Sequence, residues 1–163
     1  MKKCSKSVHV SLAKAAADWA ERVLPLFESV SPGDRRPRTA IREGRKWANT
    51  LEFKMSVIRG ASLAAHDAAR EVKSDEAACA AARAAGQAVA AAHVPQHAFG
   101  AAYYALKAVA ASDPNADETH LLRERTWQSR RLPQHLRHQL LGRMLISRNR
   151  KGISIKLHKG RGF

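Results

Sequence analysis

The stretch AACAAARAAGQAVAAAHVPQHAFGAAYYALKAVAA, residues 77–111, decides the fold class. It is mostly alanine, which has the highest helix propensity of the common residues. Before Lys107 the stretch contains one formal charge, Arg83. Because Pro95 disfavours helical geometry at the residue before it, the stretch predicts two buried helices that meet at residues 93–97.

The alanine content predicts a helical core rather than a membrane span. A span needs about 20 strongly apolar residues, and alanine is only weakly apolar. Small side chains instead allow neighbouring helices to pack at the short end of the usual interaxial range of roughly 8–10 Å. We therefore expect these two helices at the centre of a bundle, with larger apolar residues on the helices around them.

The rest of the sequence continues a helical pattern, in which apolar residues recur every three to four positions. Pro25 interrupts the first helix and predicts a kink or a break near residues 23 and 24. With cap residues, the pattern predicts helices at 8–30, 34–49, 55–73, 74–94, 95–111, 116–131 and 133–146.

Aromatic residues are few and β-branched runs are nearly absent, so the fold class is all-α. We expect a single-domain bundle, or stacked helical hairpins, of about six to seven helices with Ala-rich central helices. The predicted buried stripe of the third helix includes Val57 and Ile58, and that of the last helix includes Met144 and Leu145. Glycines inside the central helices are expected to mark close helix contacts rather than ligand contacts.

The formal net charge is +15, and much of the excess lies at the C-terminal end. We expect a helical domain at residues 1–147 and a basic tail at 148–163, which is either flexible or a marginal strand. A charge this large attracts polyanions, so weak nucleic-acid binding by the tail is one candidate function. Its candidate residues are Arg148, Arg150, Lys151, Lys156, Lys159 and Arg161.

Two cysteines, Cys4 and Cys79, are far apart in the sequence. A disulfide is therefore not expected, and reduced thiols fit a cytoplasmic protein. The N-terminal segment begins with basic residues, but it lacks the continuous apolar region of a signal peptide. We expect a cytoplasmic protein without a membrane segment.

Three histidines, His66, His93 and His97, are the candidates for a metal-dependent site. His93 and His97 are four residues apart, as in helical metal sites, but Pro95 breaks the helix between them. A metal site would need a third ligand, for example His66 or Asp67. The interpretation that we favour is hydrogen bonding to helix ends inside the core, and no cofactor is predicted.

A second polar group lies at the start of the predicted second helix. Asp34, Arg35 and Arg38 could form part of a binding surface, although helix capping and ion pairing is the simpler interpretation. Arg38 also lies on one helix face with Arg42 and Arg45, which we interpret as a solvated face. The residues give no cue for general acid–base or nucleophilic catalysis.

Several segments resemble a bacterial family of immunity-5-like proteins. They are WAERVLPLFE at 19–28, DRRPR at 34–38, AAGQAVAAAHV at 84–94 and HAFGAAYYALKA at 97–108, and the resemblance covers roughly residues 9–145. It implies an all-helical, Ala-rich domain without enzymatic activity, which neutralises a toxin by binding it. Many immunity proteins against nucleases are acidic, whereas this chain is basic, so an acidic toxin is easier to accommodate.

Three functional hypotheses result. The first is an immunity-like protein that binds a protein partner, and its candidate binding residues are Asp34, Arg35, Arg38, His93 and His97. The second is a nucleic-acid-binding protein that uses the basic tail. The third is a metal-dependent enzyme that uses the region of His66, His93 and His97.

Overall fold

The structure, a computed structural model, describes residues 4–150 and 152–158. Seven helices in these ranges precede a β-hairpin, so the predicted all-α fold is confirmed, with a small sheet added. The helices are α1 (Lys6–Glu28), α2 (Arg36–Thr50), α3 (Met55–Glu71), α4 (Glu76–Ala90), α5 (His97–Ser112), α6 (Glu118–Arg130) and α7 (Gln134–Arg143). The strands are β1 (Met144–Asn149) and β2 (Gly152–Leu157).

Short polar side chains begin several of these helices. Ser5 caps α1 by accepting a hydrogen bond from the backbone N–H of Val8, and Asp75 caps α4 in the same way. The break that Pro25 predicted is absent, because α1 continues to Glu28. Pro25 is exposed in the last turn, where the loss of one backbone hydrogen bond is compensated by the burial of Phe27.

Helix α4 is the centre of the bundle. It packs against α1, α2, α3 and α5, and nine of its fifteen residues are buried. Helix α2 approaches α4 closely at Gly44, where an added Cβ would lie 3.3 Å from the Cα of Val89. The missing side chain of Gly44 thus allows α2 to pack against the backbone of α4 at this point.

Helix α6 is attached to this core by polar contacts. The indole Nε1 of buried Trp19 donates to the carbonyl oxygen of Gln128 at 3.0 Å. The side chain of Gln128, also fully buried, donates to the carbonyl oxygen of Ala102 at 3.2 Å. Arg22 forms a two-pronged ion pair with buried Glu124 and lies 4.0 Å from the ring centroid of Trp127. These contacts fix α6 against both α1 and α5.

The C-terminal segment forms a hairpin, and the predicted last helix ends three residues too late, at 146 instead of Arg143. Met144 is fully buried but Leu145 is 41% exposed, because side chains alternate between the two faces of a strand. Strand β1 pairs antiparallel with β2, and Ile153 and Ile155 pack against the core. The alternating pattern of the tail therefore forms a strand, while Lys151 and residues 159–163 lie outside the described residues.

Helix α3 differs from its prediction at one position. It buries Ile58, Ala65, Ala68 and Ala69, but Val57 is 42% exposed. Val57 and Ile58 are adjacent and so point about 100° apart on a helix, and only Ile58 faces the core.

None of the described helices combines the length and the hydrophobicity that crossing a membrane requires.

Two glycine substitutions test the close contact of α2 with α4. Gly44→Leu should lower the free energy of unfolding by about 1–3 kcal/mol, because the new side chain would meet the α4 backbone. Gly60→Ala is the control, since an added Cβ at this exposed position meets no atom within 4 Å. It should raise the free energy of unfolding by about 0.5–1 kcal/mol through helix propensity. Urea unfolding of both variants measures this, and a Gly44→Leu protein as stable as the wild type would contradict the contact.

Candidate functional site

A pocket of about 410 Å³ opens between α3 and the junction of α4 with α5. His66, His93 and His97 all line it, together with Gln87 and Ser62, and Met55, Ile58 and Leu63 provide apolar walls. We call it the histidine pocket. The structure thus brings together the three histidines that the sequence indicated, although they come from three separate segments.

Two glycines make room for the polar side chains of this pocket. A Cβ at Gly86 of α4 would lie 2.8 Å from Nε2 of His66, and a Cβ at Gly100 of α5 would lie 2.7 Å from Oε1 of Gln87. The expectation that these glycines mark close contacts between helices is confirmed, because each lies against a side chain of a neighbouring helix. Gly86 and Gly100 accommodate the side chains of His66 and Gln87 from neighbouring helices.

Gln87 also orients His97. Nδ1 of His97 lies 2.7 Å from Oε1 of Gln87. An amide oxygen can only accept, so the Nδ1–H of the imidazole donates, and Nε2 of the neutral ring is an acceptor. On the facing helix, the hydroxyl of Ser62 donates to the carbonyl oxygen of Gly86 at 3.0 Å. Nδ1 of His66 is buried without a hydrogen-bond partner among the described residues.

Both inner histidines favour the neutral form. Burial lowers the pKa of His66, and the positive charges of Arg83 and Arg70 lower it further. Burial also lowers the pKa of His97, with a smaller contribution from His93. The inner part of the pocket is therefore weakly polar at neutral pH, and Arg59 adds one positive charge to its lining.

Exposed apolar side chains lie at the mouth of the pocket. Phe53 is 45% exposed and stacks on His93 with ring centroids 6.4 Å apart, and Leu63 on α3 is 52% exposed. We define the apolar rim as Phe53, Met55 and Leu63. The sequence prediction missed this rim; the signal was the alternation of apolar and polar residues from Leu51 to Met55, which a buried helical stripe does not explain.

The backbone just before the rim is unusual. Leu51 ends α2 in the left-handed conformation with φ 62°, which glycine usually adopts at this position. The conformation costs a residue with a side chain roughly 1–2 kcal/mol. The N–H of Leu51 donates to the carbonyl oxygen of Trp47 at 2.7 Å, and the side chain is 38% exposed, so this hydrogen bond and partial burial offset part of the cost.

The predicted residues of α2 form a separate group of ion pairs. Asp34 binds the guanidinium of Arg36 rather than that of Arg35. The same guanidinium of Arg36 also binds Glu71 at the end of α3. The Arg36 guanidinium lowers the pKa of Asp34. Arg38 forms a two-pronged pair with Glu28 of α1, and Arg35 is exposed.

This group lies at the opposite end of α3 from the contact between Phe53 and His93. Asp34 is tied to Glu71 at the C-terminal end of α3, whereas Phe53 and His93 meet beside its N-terminal end. A helix of 17 residues is about 24 Å long, so the five residues proposed for binding are not one cluster. The arginine face is also paired, since Arg42 contacts Glu43 and Arg45 binds Asp18 and Glu21.

The geometry gives limited support to the metal-dependent enzyme and to the nucleic-acid-binding protein. In the ranges 4–150 and 152–158, no group of three or more His, Cys, Asp or Glu side chains is placed to hold a metal ion. His66, His93 and His97 share a pocket without forming such a group. In the basic tail, Arg148, Arg150 and Lys156 are exposed on the hairpin, whereas Lys151, Lys159 and Arg161 lie outside the described residues.

Acidification tests the buried histidines. A histidine with a lowered pKa binds fewer protons when folded than when unfolded, so stability falls as the pH decreases below about 6.5. The free energy of unfolding should therefore decrease between pH 7 and pH 5, and His66→Gln should make this decrease smaller. His135→Gln, at an exposed position on α7, is the matched control. Equal pH dependence in wild type and His66→Gln would contradict the effect.

Comparison with known proteins identifies the family. A family model described as Imm-5 like putative immunity protein matches residues 2–135. A search of curated proteins and a search of solved structures found no match. The matched range includes helices α1 to α6 and therefore the whole histidine pocket and the apolar rim. Because the match spans most of the chain, the protein belongs to the Imm-5 like putative immunity protein family.

Proposed function

We propose that the protein is a non-enzymatic immunity protein, which binds a toxin-like protein partner and thereby neutralises it. The family supports a role in immunity. The observation that supports a binding site is the apolar rim beside the histidine pocket. The predicted pair His93 and His97 lies at this surface, whereas Asp34, Arg35 and Arg38 lie outside it.

The concentration of exposed apolar residues supports an interface. Among the described residues, seven large hydrophobic side chains are exposed by more than a third, and three of them form the rim. Scattered exposed hydrophobic residues are normal, but a contiguous patch marks a binding surface in soluble proteins. The adjacent pocket can accept a side chain of the partner, as the central pockets of protein interfaces do.

The chemistry of the pocket fits binding better than catalysis. The imidazole of His97 is held by Gln87, and that of His66 is held against Gly86. These contacts keep both rings in place and supply a few polar groups within an apolar surface. We also place the protein in the cytoplasm, because Cys4 and Cys79 are both free.

Nucleic-acid binding is the second candidate. The observation that favours it is the exposure of Arg148, Arg150 and Lys156 on the two strands and turn of the hairpin. These side chains could contact phosphates without reading sequence. The hairpin also packs Ile153 and Ile155 against the core, so substitutions of the basic residues test this candidate better than deletion of the tail.

Charged substitutions in the rim test the proposed interface. Met55→Asp and Leu63→Asp should each weaken capture of the protein partner from the host lysate by at least about tenfold, because a carboxylate would be desolvated in the contact. Val30→Asp is the control, since Val30 is 45% exposed and lies outside the rim. Quantitative mass spectrometry after nuclease treatment measures the capture.

Three results would contradict this interface. The captured protein could remain bound to Met55→Asp and Leu63→Asp as well as to the wild type. The bound material could disappear with nuclease treatment, which would favour the nucleic-acid candidate. The rim could also hold two copies of the chain together, which sedimentation of the wild type and Leu63→Asp would show.

Leu51, which precedes Phe53 of the rim by two residues, gives a second test. In this test stability and partner binding change in opposite directions. Leu51→Gly should raise the free energy of unfolding by about 1 kcal/mol, because glycine adopts a positive φ without strain. It should also weaken partner capture, because the apolar side chain is removed. Leu51→Ala is the control, since it removes the side chain but keeps the strained Cβ. A Leu51→Gly protein that is stabilised and binds normally would show that Leu51 is not part of the interface.

A further inference from the structure

A second pocket, of about 740 Å³, lies between α4, α5 and β2. We call it the cationic pocket and define it by Lys73, Arg83, Lys107, Tyr103 and Tyr104, which line it together with apolar side chains of the hairpin. We propose that this pocket binds an acidic, extended segment of the protein partner. The proposal rests on the proposed function, because it names the chemistry that the partner presents beside the apolar rim.

Of the residues that the structure describes, three cations and one carboxylate, Glu76, line this pocket, so its charge is positive overall. Among the described residues, no ion pair joins Lys73, Arg83 or Lys107 to a carboxylate, although most arginines of α1 and α2 have such partners. Arg83 lies 5.9 Å from the ring centroid of Tyr104, and Lys107 lies 5.8 Å from that of Tyr103. The tyrosine rings therefore hold the cations in place without neutralising them.

Several features favour a polypeptide over a nucleic acid. Tyr103 and Tyr104 pack edge to face, with ring centroids 5.2 Å apart, and a cation already lies over each ring. Because the ring planes are 67° apart, the two tyrosines do not offer parallel faces on which successive bases could stack. Glu76 also lines the pocket and would repel a phosphate backbone. A peptide with separated carboxylates can contact the cations and avoid Glu76.

The hairpin adds an apolar wall that suits the same ligand. Ile153 and Ile155 line the cationic pocket, and they lie outside the range that the family model matches. An extended peptide alternates its side chains, so carboxylates can face Lys107 and Arg83 while apolar side chains contact the isoleucines. This part of the site is thus supplied by the C-terminal segment of this particular chain.

One side of α4 connects the two pockets. Cys79 and Arg83 line the cationic pocket, and Gln87 and Ala90 line the histidine pocket. The spacing of three or four residues places them along one face of the helix. From Arg83 to Ala90 the helix rises about 10 Å, which three extended residues span. The partner segment should therefore carry an apolar anchor about three residues from its first carboxylate.

A synthetic peptide provides the test. The probe is a fluorescent, C-terminally amidated peptide with a Leu-Phe pair, two serines and then four alternating Glu and Leu residues. Its binding is followed by anisotropy at several salt concentrations. The double variant Lys73→Glu/Lys107→Glu should bind the peptide at least about tenfold more weakly than the wild type, because two attractive contacts become repulsive.

A charge-matched control separates the pocket from the net charge. Lys14→Glu/Arg130→Glu changes the net charge by the same amount at exposed positions on α1 and α6. It should bind the peptide within about twofold of the wild type at physiological salt, where distant charges are screened. Equal weakening in both double variants would overturn the proposal, because it would show attraction by net charge alone. Weakening of a single-stranded oligonucleotide but not of the peptide would overturn it in favour of a nucleic-acid site.

The captured partner separates this inference from the proposed function. A partner that is lost with Leu63→Asp but kept by Lys73→Glu/Lys107→Glu would overturn the acidic segment and leave the rim interface intact. A partner that is lost with both supports both proposals. If no partner depends on the rim, the proposed function fails, and the peptide titration still decides what the cationic pocket binds.

Discussion

The close approach of helix backbones around α4 is the constraint on which the rest of the structure depends. Alanine along α4 allows α1, α2, α3 and α5 to pack around it, and Gly44 brings α2 within van der Waals contact of the α4 backbone. A helix that is enclosed on most sides can place polar groups on one side only. Arg83 and Gln87 lie on that side, and each lines one of the two pockets. The core thus determines where this protein can present its chemistry.

The same close packing explains how polar side chains enter the pocket region. His66 and Gln87 each occupy the volume that a side chain at Gly86 or Gly100 would fill. The position of an imidazole is therefore set by a missing Cβ on the neighbouring helix, and its charge state is set by burial. The imidazoles of His66 and His97 are already held in place next to exposed apolar residues, so they require little reorganisation on binding, which favours affinity.

Long alanine and leucine patterns made the helices and the core predictable, because helix propensity and burial act in the same direction there. The partners of the arginines were not predictable, since Arg36 binds Glu71 across 35 positions of sequence. The hairpin was only partly predictable: Met144 fits a helical stripe and a strand equally well, and the pairing with Leu157 decides between them. The sequence identified the three histidines of the site. It did not identify the rim, because it does not show which side of α3 faces the core.

The location of the charges, rather than their sum, determines the kind of partner that this protein can select. Arg36, Arg38 and Arg45 are paired with carboxylates, so the arginine face of α2 contributes little free positive charge. Exposed charges act over about 8 Å at physiological ionic strength, which is shorter than the distance across the bundle. Arg83, the one cation on α4, therefore acts on a ligand only where α4 meets α5 and the hairpin. A net charge of +15 attracts any polyanion at low salt. Cations that have no ion-pair partner among the described residues, together with two tyrosines and an apolar wall, distinguish an acidic peptide from other polyanions.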